Sequence, residues 1–200
     1  HKLTEETAEM FSFPYDDSWY PYRDYYAIRN AKELYGFAEL VNNGEVYANA
    51  VLLQNITVND TVSASGAAYS WTPIGKDAEH AYRGTFLGSG HTISGLYCNM
   101  PDATGVGLFG YIGVSFGYNG TVIKDVILLN SYFKGNSHVG GIVGMIHGYG
   151  NRIEKCMVST DVTVTATRSY RNGNPESFYI GGIVGGFDAA VIKQTNYIDK

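Results

Sequence analysis

Two hundred residues with 44% hydrophobic and 16% charged side chains describe a globular chain long enough to bury a substantial core. The net charge of −5, with no basic cluster, argues against binding to a nucleic-acid backbone, and no apolar run reaches the roughly 20 residues of a membrane-spanning helix. Gly at 25 positions and Tyr at 17 point to an all-β chain with many tight turns.

The chain opens HKLTEETAEM, without an initiator Met or a basic-then-apolar leader, and reads as a mature or excised piece of a longer protein. The segment FSFPYDDSWYPYRDYY, residues 11–26, is crowded with rings. Trp19, Tyr20 and Tyr22 are its candidate contacts to a sugar or a protein partner, while the plainer expectation is that the rings pack on neighbouring structure. In NAKELYGFAELVNNG, residues 30–44, Leu34, Phe37, Ala38 and Val41 share one face of a helix. Asn30 suits its N-cap, Glu33 completes a capping box and Gly44 follows as a stop. Residues 1–44 are therefore expected to form an aromatic segment and a capping helix, and residues 45–200 the repeats that the helix covers.

After the helix, VLLQNITV (51–58) reads as a first strand, and WTPIG (71–75) and GTFLGSGHTISGL (84–96) lead into a repeat. GVGLFG (105–110), VGGIVG (139–144) and IGGIVG (180–185) each set paired glycines around two apolar residues. Each is followed by a segment opening on Ile, and ISGLYCNM (93–100), IKDVILLN (123–130), IEKCMVST (153–160) and IKQTNYID (192–199) align at intervals of 30, 30 and 39 residues. RSYRNGNPES (168–177) accounts for the longest interval as an inserted loop. Such a period is the signature of a solenoid, and columns two residues apart, such as Leu96, Val126, Cys156 and Cys98, Leu128, Val158, mark strands with one face inward. One position after the leading Ile, Lys124, Glu154 and Lys193 alternate in sign along an outward column.

Stacked turns explain the glycines. A solenoid bends at the same place in every turn, and Gly107, Gly110, Gly141, Gly144, Gly182 and Gly185 would allow positive φ and close backbone approach there. Phosphate binding at these runs is the lesser reading, since no GxxxxGK[ST] occurs. The expected fold is all-β, a right-handed parallel β-helix with a short N-terminal α-helical cap. Ending at Lys200 without a closing cap, the sequence is expected to continue in the natural protein.

GLFG (107–110) and GIVG (141–144, 182–185), with the preceding helix, WTPIG and GTFLGSGHTISGL in the same order, resemble the GLUG motif of bacterial surface and secreted proteins. The resemblance spans about residues 27–200 and departs from the family pattern at Leu87 and Ser89. It implies a parallel β-helix in an adhesin-like extracellular or cell-surface protein, and it carries no catalytic residues to this chain.

No chemistry stands out. Asp125, Glu154 and Asp199 fall in different columns and make no paired-acid platform, so no catalytic residue is assigned. His138 and His147 flank one glycine corner but lack a third ligand, and no metal or cofactor is assigned. Cys98 and Cys156 fall in inward columns two turns apart, beyond bridging distance. Thr163, Thr165 and Thr167 share a polar strand face confined to one turn. Tyr97, Ile127, Leu129, Met157 and Ile198 form an outward apolar stripe, covered by other structure or free for contact. The functional expectation is a non-catalytic extracellular scaffold or adhesion module with a protein or glycan partner and no nucleic acid; the alternative is a carbohydrate-active β-helix enzyme or carbohydrate-binding domain.

Overall fold

The computed structural model describes residues 9–13, 23–118, 120–167 and 179–188. Strand β1 (Glu9–Phe13) runs antiparallel to β2 (Arg23–Ile28), and helix α1 (Ala31–Asn42) follows. Asn30 caps α1, its side chain accepting from the Glu33 amide at 2.9 Å. The Glu33 carboxylate reaches back to the Arg29 amide, one residue short of the usual capping box. Past the C-cap residue Asn43, Gly44 adopts φ 120° and ends the helix.

β3 (Asn49–Leu52) lies parallel on β2, and β4 (Ile56–Thr57) begins a second sheet. The single strand expected over 51–58 is thus two, because the chain bends between them. Three turns of five short strands follow. The first contains β5 (Thr85–Leu87), β6 (Thr92–Ser94), β7 (Tyr97–Asn99), β8 (Thr104–Val106) and β9 (Phe109–Tyr118). The second contains β10 (Val122–Lys124), β11 (Ile127–Leu129), β12 (Tyr132–Gly135), β13 (Ser137–Gly140) and β14 (Val143–Tyr149). The third contains β15 (Arg152–Glu154), β16 (Met157–Val158), β17 (Thr163–Ala166), β18 (Ile180–Gly181) and β19 (Val184–Asp188). Each strand of the second turn pairs in parallel with its counterparts below and above. The result is a parallel β-solenoid of about three turns with a single short helix near its N-terminus.

Between the second and third turns the expected alignment is the observed one: Ile123 lies beside Ile153, and Leu128 beside Val158. The first turn differs by a whole strand. Ile93 lies beside Leu128, and the neighbour of Ile123 on that side is Phe86. Cys98 correspondingly sits against Phe133, and Leu87, not Ser94, lies beside Lys124. The first turn is longer, 37 residues from Phe86 to Ile123 against 30 from Ile123 to Ile153, and part of the excess lies in the corner after its first strand. In the first turn it takes four residues, Gly88 to His91, whereas Asp125–Val126 and Lys155–Cys156 suffice later. Asp125 and Lys155 make these short bends in the left-handed region, at φ 55° and 51°.

Apolar side chains fill the interior from α1 upward. Leu34, Phe37, Ala38 and Val41 of the helix join Ile28, Leu52, Trp71, Tyr82, Phe86 and Phe109 in one cluster. Phe37 meets Tyr82 edge-on at 6.0 Å, Tyr82 stacks on Phe109 at 5.2 Å, and Phe86 meets Phe109 edge-on at 5.2 Å. The helix therefore lids the solenoid through a ring cluster. Asn42, at its last turn and 4% exposed, fixes the lid in place. Its side chain donates to the Pro73 carbonyl at 3.0 Å and accepts from the Gly75 and Lys76 amides, each at 2.9 Å.

Phe37→Ala leaves a cavity at this junction and should lower stability by about 3–5 kcal/mol, measured by urea unfolding; a loss below 1 kcal/mol would show that the helix is not a lid.

Candidate functional site

The stacked glycine corner is the most regular feature of the described surface, and it begins before the first glycine run. Residues 71–75, which form no strand, serve as its lowest layer. The Trp71 indole N–H is shared between the carbonyls of Gly107 and Leu108 at 3.2 and 3.3 Å. Ile74 donates to the Leu108 carbonyl at 3.0 Å and accepts from the Gly110 amide at 2.8 Å. WTPIG thus underlies the first glycine run and gives it a neighbour on its lower side.

Each run separates two strands: Gly107–Leu108 joins β8 to β9, Gly141–Ile142 joins β13 to β14, and Gly182–Ile183 joins β18 to β19. The two glycines of each run face opposite neighbours. A methyl group on Gly107 would lie 2.8 Å from the Gly140 carbonyl of the next turn, and one on Gly141 would lie 2.5 Å from that of Gly182. The second glycine faces down. A methyl on Gly110 would lie 2.6 Å from the Gly75 carbonyl, one on Gly144 would strike the Val106 amide, and one on Gly185 would lie 2.5 Å from that of Val139. None of the six has positive φ, so the conformational part of the sequence expectation is corrected. They are glycines because backbone presses on backbone across the turns. The residues between them point inward, with Leu108, Phe109, Ile142 and Val143 fully buried.

Beside this corner lies a polar cluster that the sequence did not suggest. Asp77 Oδ1 accepts from the Glu79 and His80 amides at 3.0 and 2.9 Å and meets His80 Nδ1 at 2.7 Å. Burial pushes the Asp77 carboxyl up, but the His80 amide, the His80 ring and the Glu79 amide outweigh it and hold the group below its ordinary value. Tyr111 is pushed up by burial and by the Asp77 charge, and its ring stacks on His147 at 5.6 Å and 10°. His138, across the corner from His147, stacks instead on Tyr179 at 4.3 Å. Among the described residues no three His, Cys, Asp or Glu side chains form a group able to hold a metal ion.

Other candidates fall apart by location. Cys98 is buried between strands of the first and second turns and Cys156 lies at the third; both are free thiols. Burial pushes them up to about 12 and about 11, so neither is a ready nucleophile. The outward apolar stripe is two features. Ile127 and Met157 pair in the sheet of β6, β11 and β16, whereas Tyr97 stacks on Tyr132 at 5.5 Å in the sheet of β7, β12 and β17. Thr165 and Thr167 bond to carbonyls of neighbouring segments, those of Phe133, Pro101 and Gly135. Asp125 holds a bend, and Glu154 meets Arg152 at 3.5 Å on its own strand. Trp19, Tyr20, Tyr22, Lys193, Ile198, Asp199 and the segment 192–199 lie outside the described residues.

Gly144→Ala should cost about 3 kcal/mol by overpacking against the turn below, read as a shifted urea midpoint; an unchanged midpoint would refute the close approach. The stability that Asp77 adds is fully present above its ordinary value of 3.8 and is lost as the pH falls through its lower folded value. Asp77→Asn should therefore flatten the acid limb of a stability–pH curve below about pH 4, whereas an unaltered limb would count against that carboxylate.

No family model matches the chain, and no solved structure matches it. The resemblance to the GLUG motif therefore rests on the residues alone. The chain is similar to a stretch of halomucin from Haloquadratum walsbyi (strain DSM 16790 / HBSQ001), with 34% identity over 135 residues. The match covers 67% of this chain and 1% of halomucin. Among the described residues no helix is long and apolar enough to cross a membrane.

Proposed function

We propose that this chain is a non-catalytic scaffold or adhesion module of an extracellular or cell-surface protein, stiffened by its stacked turns and meeting a protein or glycan partner through loops and aromatic residues. The observation that carries this reading is the filled interior. Ile123, Val126, Leu128, Phe133, Ile142 and Val143 of the second turn are fully buried, so outer faces and loops are left for contact. Hydrogen bonds hold two acids below their ordinary range and engage them with backbone: Asp77 receives two amides of its own turn, and Asp161 receives the Asn130 amide of the preceding turn at 2.9 Å. The partial match to halomucin is compatible with an extracellular scaffold role. The GLUG-like runs support the same setting. Trp19, Tyr20 and Tyr22 are the proposed partner contacts.

The test is incubation of the full chain with neutral and uronate-rich polysaccharides, alongside a glycan array. The reading predicts no new reducing or unsaturated ends, and turnover proportional to protein concentration would overturn it. Saturable glycan binding lost in Trp19→Ala or Tyr20→Ala would assign the contact to the aromatic segment.

A further inference from the structure

The two ends of the described solenoid are unlike each other. At the lower end α1 closes the interior with its own apolar face. At the upper end interior files finish bare. Val106 and Val139 are fully buried, yet Ile180, next in that file, is 48% exposed. Ile112 and Ile146 are 0% and 7% exposed, and Phe187 above them is 56% exposed. Ile153, Cys156, Val158, Val164 and Ile183 are likewise only partly buried, although their neighbours one turn down are sealed.

The corner backbone shows what fits there. Leu108 and Phe109 donate to the carbonyls of Gly141 and Ile142, and Gly141 and Ile142 in turn donate to those of Gly182 and Ile183, all at 2.8–3.1 Å. At both steps these amides donate upward, the second step offset by one residue from the first. The upward-facing glycine follows the same rule. Gly107 and Gly141 each have a carbonyl of the next turn where a methyl group would sit, whereas at Gly182 nothing among the described residues lies within 4 Å. Gly182 thus keeps a side-chain-free space of the shape that the two lower glycines fill with backbone.

We propose that the face formed by β17–β19 is a docking surface for the rest of one further turn of the same type: a parallel polypeptide segment with apolar inward residues and a glycine-bearing corner seated over Gly182. The interface is the one already made twice, between the first and second turns and between the second and third. A second copy of this chain does not supply it. Its lower end is closed by α1, and its upper end, turned to meet this one, brings strands running the opposite way. An adjoining solenoid segment without a cap does supply it, by parallel strand addition. The stretch of halomucin to which the chain is similar lies within a far longer polypeptide, of which the match covers 1%.

The experiment appends a copy of residues 132–150, which carries its own glycine corner and continues the alignment of 192–199 with 123–130, after Lys200 of the full chain. Amide exchange at Ile183 and Val184 should slow about 100-fold relative to the unextended chain, as expected for amides passing from an exposed edge into a ladder. In the extended chain Gly182→Ala should lower the folding equilibrium constant at least about tenfold, as a methyl group meeting a carbonyl requires. Gly182→Ala in the unextended chain, where nothing among the described residues lies within 4 Å of the added methyl group, controls for glycine replacement as such. Unchanged exchange in the extended chain, or a Gly182→Ala loss no greater there than in the unextended chain, would overturn the proposal. Protection that grows with the concentration of the unextended chain, with a dimer by sedimentation, would overturn it in favour of a second copy.

Discussion

Everything in this protein follows from one spacing. Parallel strands joined by backbone hydrogen bonds lie about 4.8 Å apart, and a chain that coils with that rise brings each corner against the corner of the turn below. A straight strand tolerates such proximity because its side chains point to either face. At a corner, the bend aims Cβ positions along the stacking axis, where the neighbouring backbone already lies. Gly107 and Gly141 face up and Gly110, Gly144 and Gly185 face down for this reason, with carbonyls or amides within 3 Å of where a methyl group would be. The four-residue run is thus a steric requirement of stacking, and the two residues it brackets are left to fill the interior.

The same constraint organises the ends. A stack grows until something covers its edge. Below, α1 lays four apolar residues into a cluster of rings, and Asn42 ties it to residues 73–76 through three hydrogen bonds. Trp71 and Ile74 then act as an irregular layer that presents donors and a carbonyl to the first glycine corner without forming a strand. Above, the third turn carries the same corner chemistry with its apolar files open. The docking face derives from this polarity, since among the described residues the lower end is closed and the upper end is not.

What the sequence revealed follows from which interactions are local. The helix over 30–44 was legible because Asn30, Glu33, Gly44 and the apolar stripe all act within a few residues. The pairing of Ile123 with Ile153 was legible because both turns use two-residue bends after their first strand, which keeps the period at thirty. The first turn is not legible because it is longer as a whole, 37 residues from Phe86 to Ile123 against 30 in the next, and Ile93, thirty residues before Ile123, imitates the leading Ile although Phe86 occupies that place. The roles of Asn42, Trp71 and the Asp77–His80 pair had no periodic signal at all. The first two depend on contacts, of Asn42 with residues 73–76 and of Trp71 with Gly107, between segments more than thirty residues apart, whereas Asp77 and His80 meet three residues apart in an irregular loop. The glycines were visible as a motif, but the reason for them, approach from above and below without positive φ, required the stacked neighbours to be seen.

The most direct test of this account is nuclear magnetic resonance detection of couplings across individual hydrogen bonds. The stacked corner predicts coupling from the Leu108 amide to the Gly141 carbonyl, from the Gly141 amide to the Gly182 carbonyl, and from the Asp125 amide to the Glu154 carbonyl. Couplings that instead joined each glycine run to an adjacent antiparallel strand would contradict the stack and every inference drawn from it.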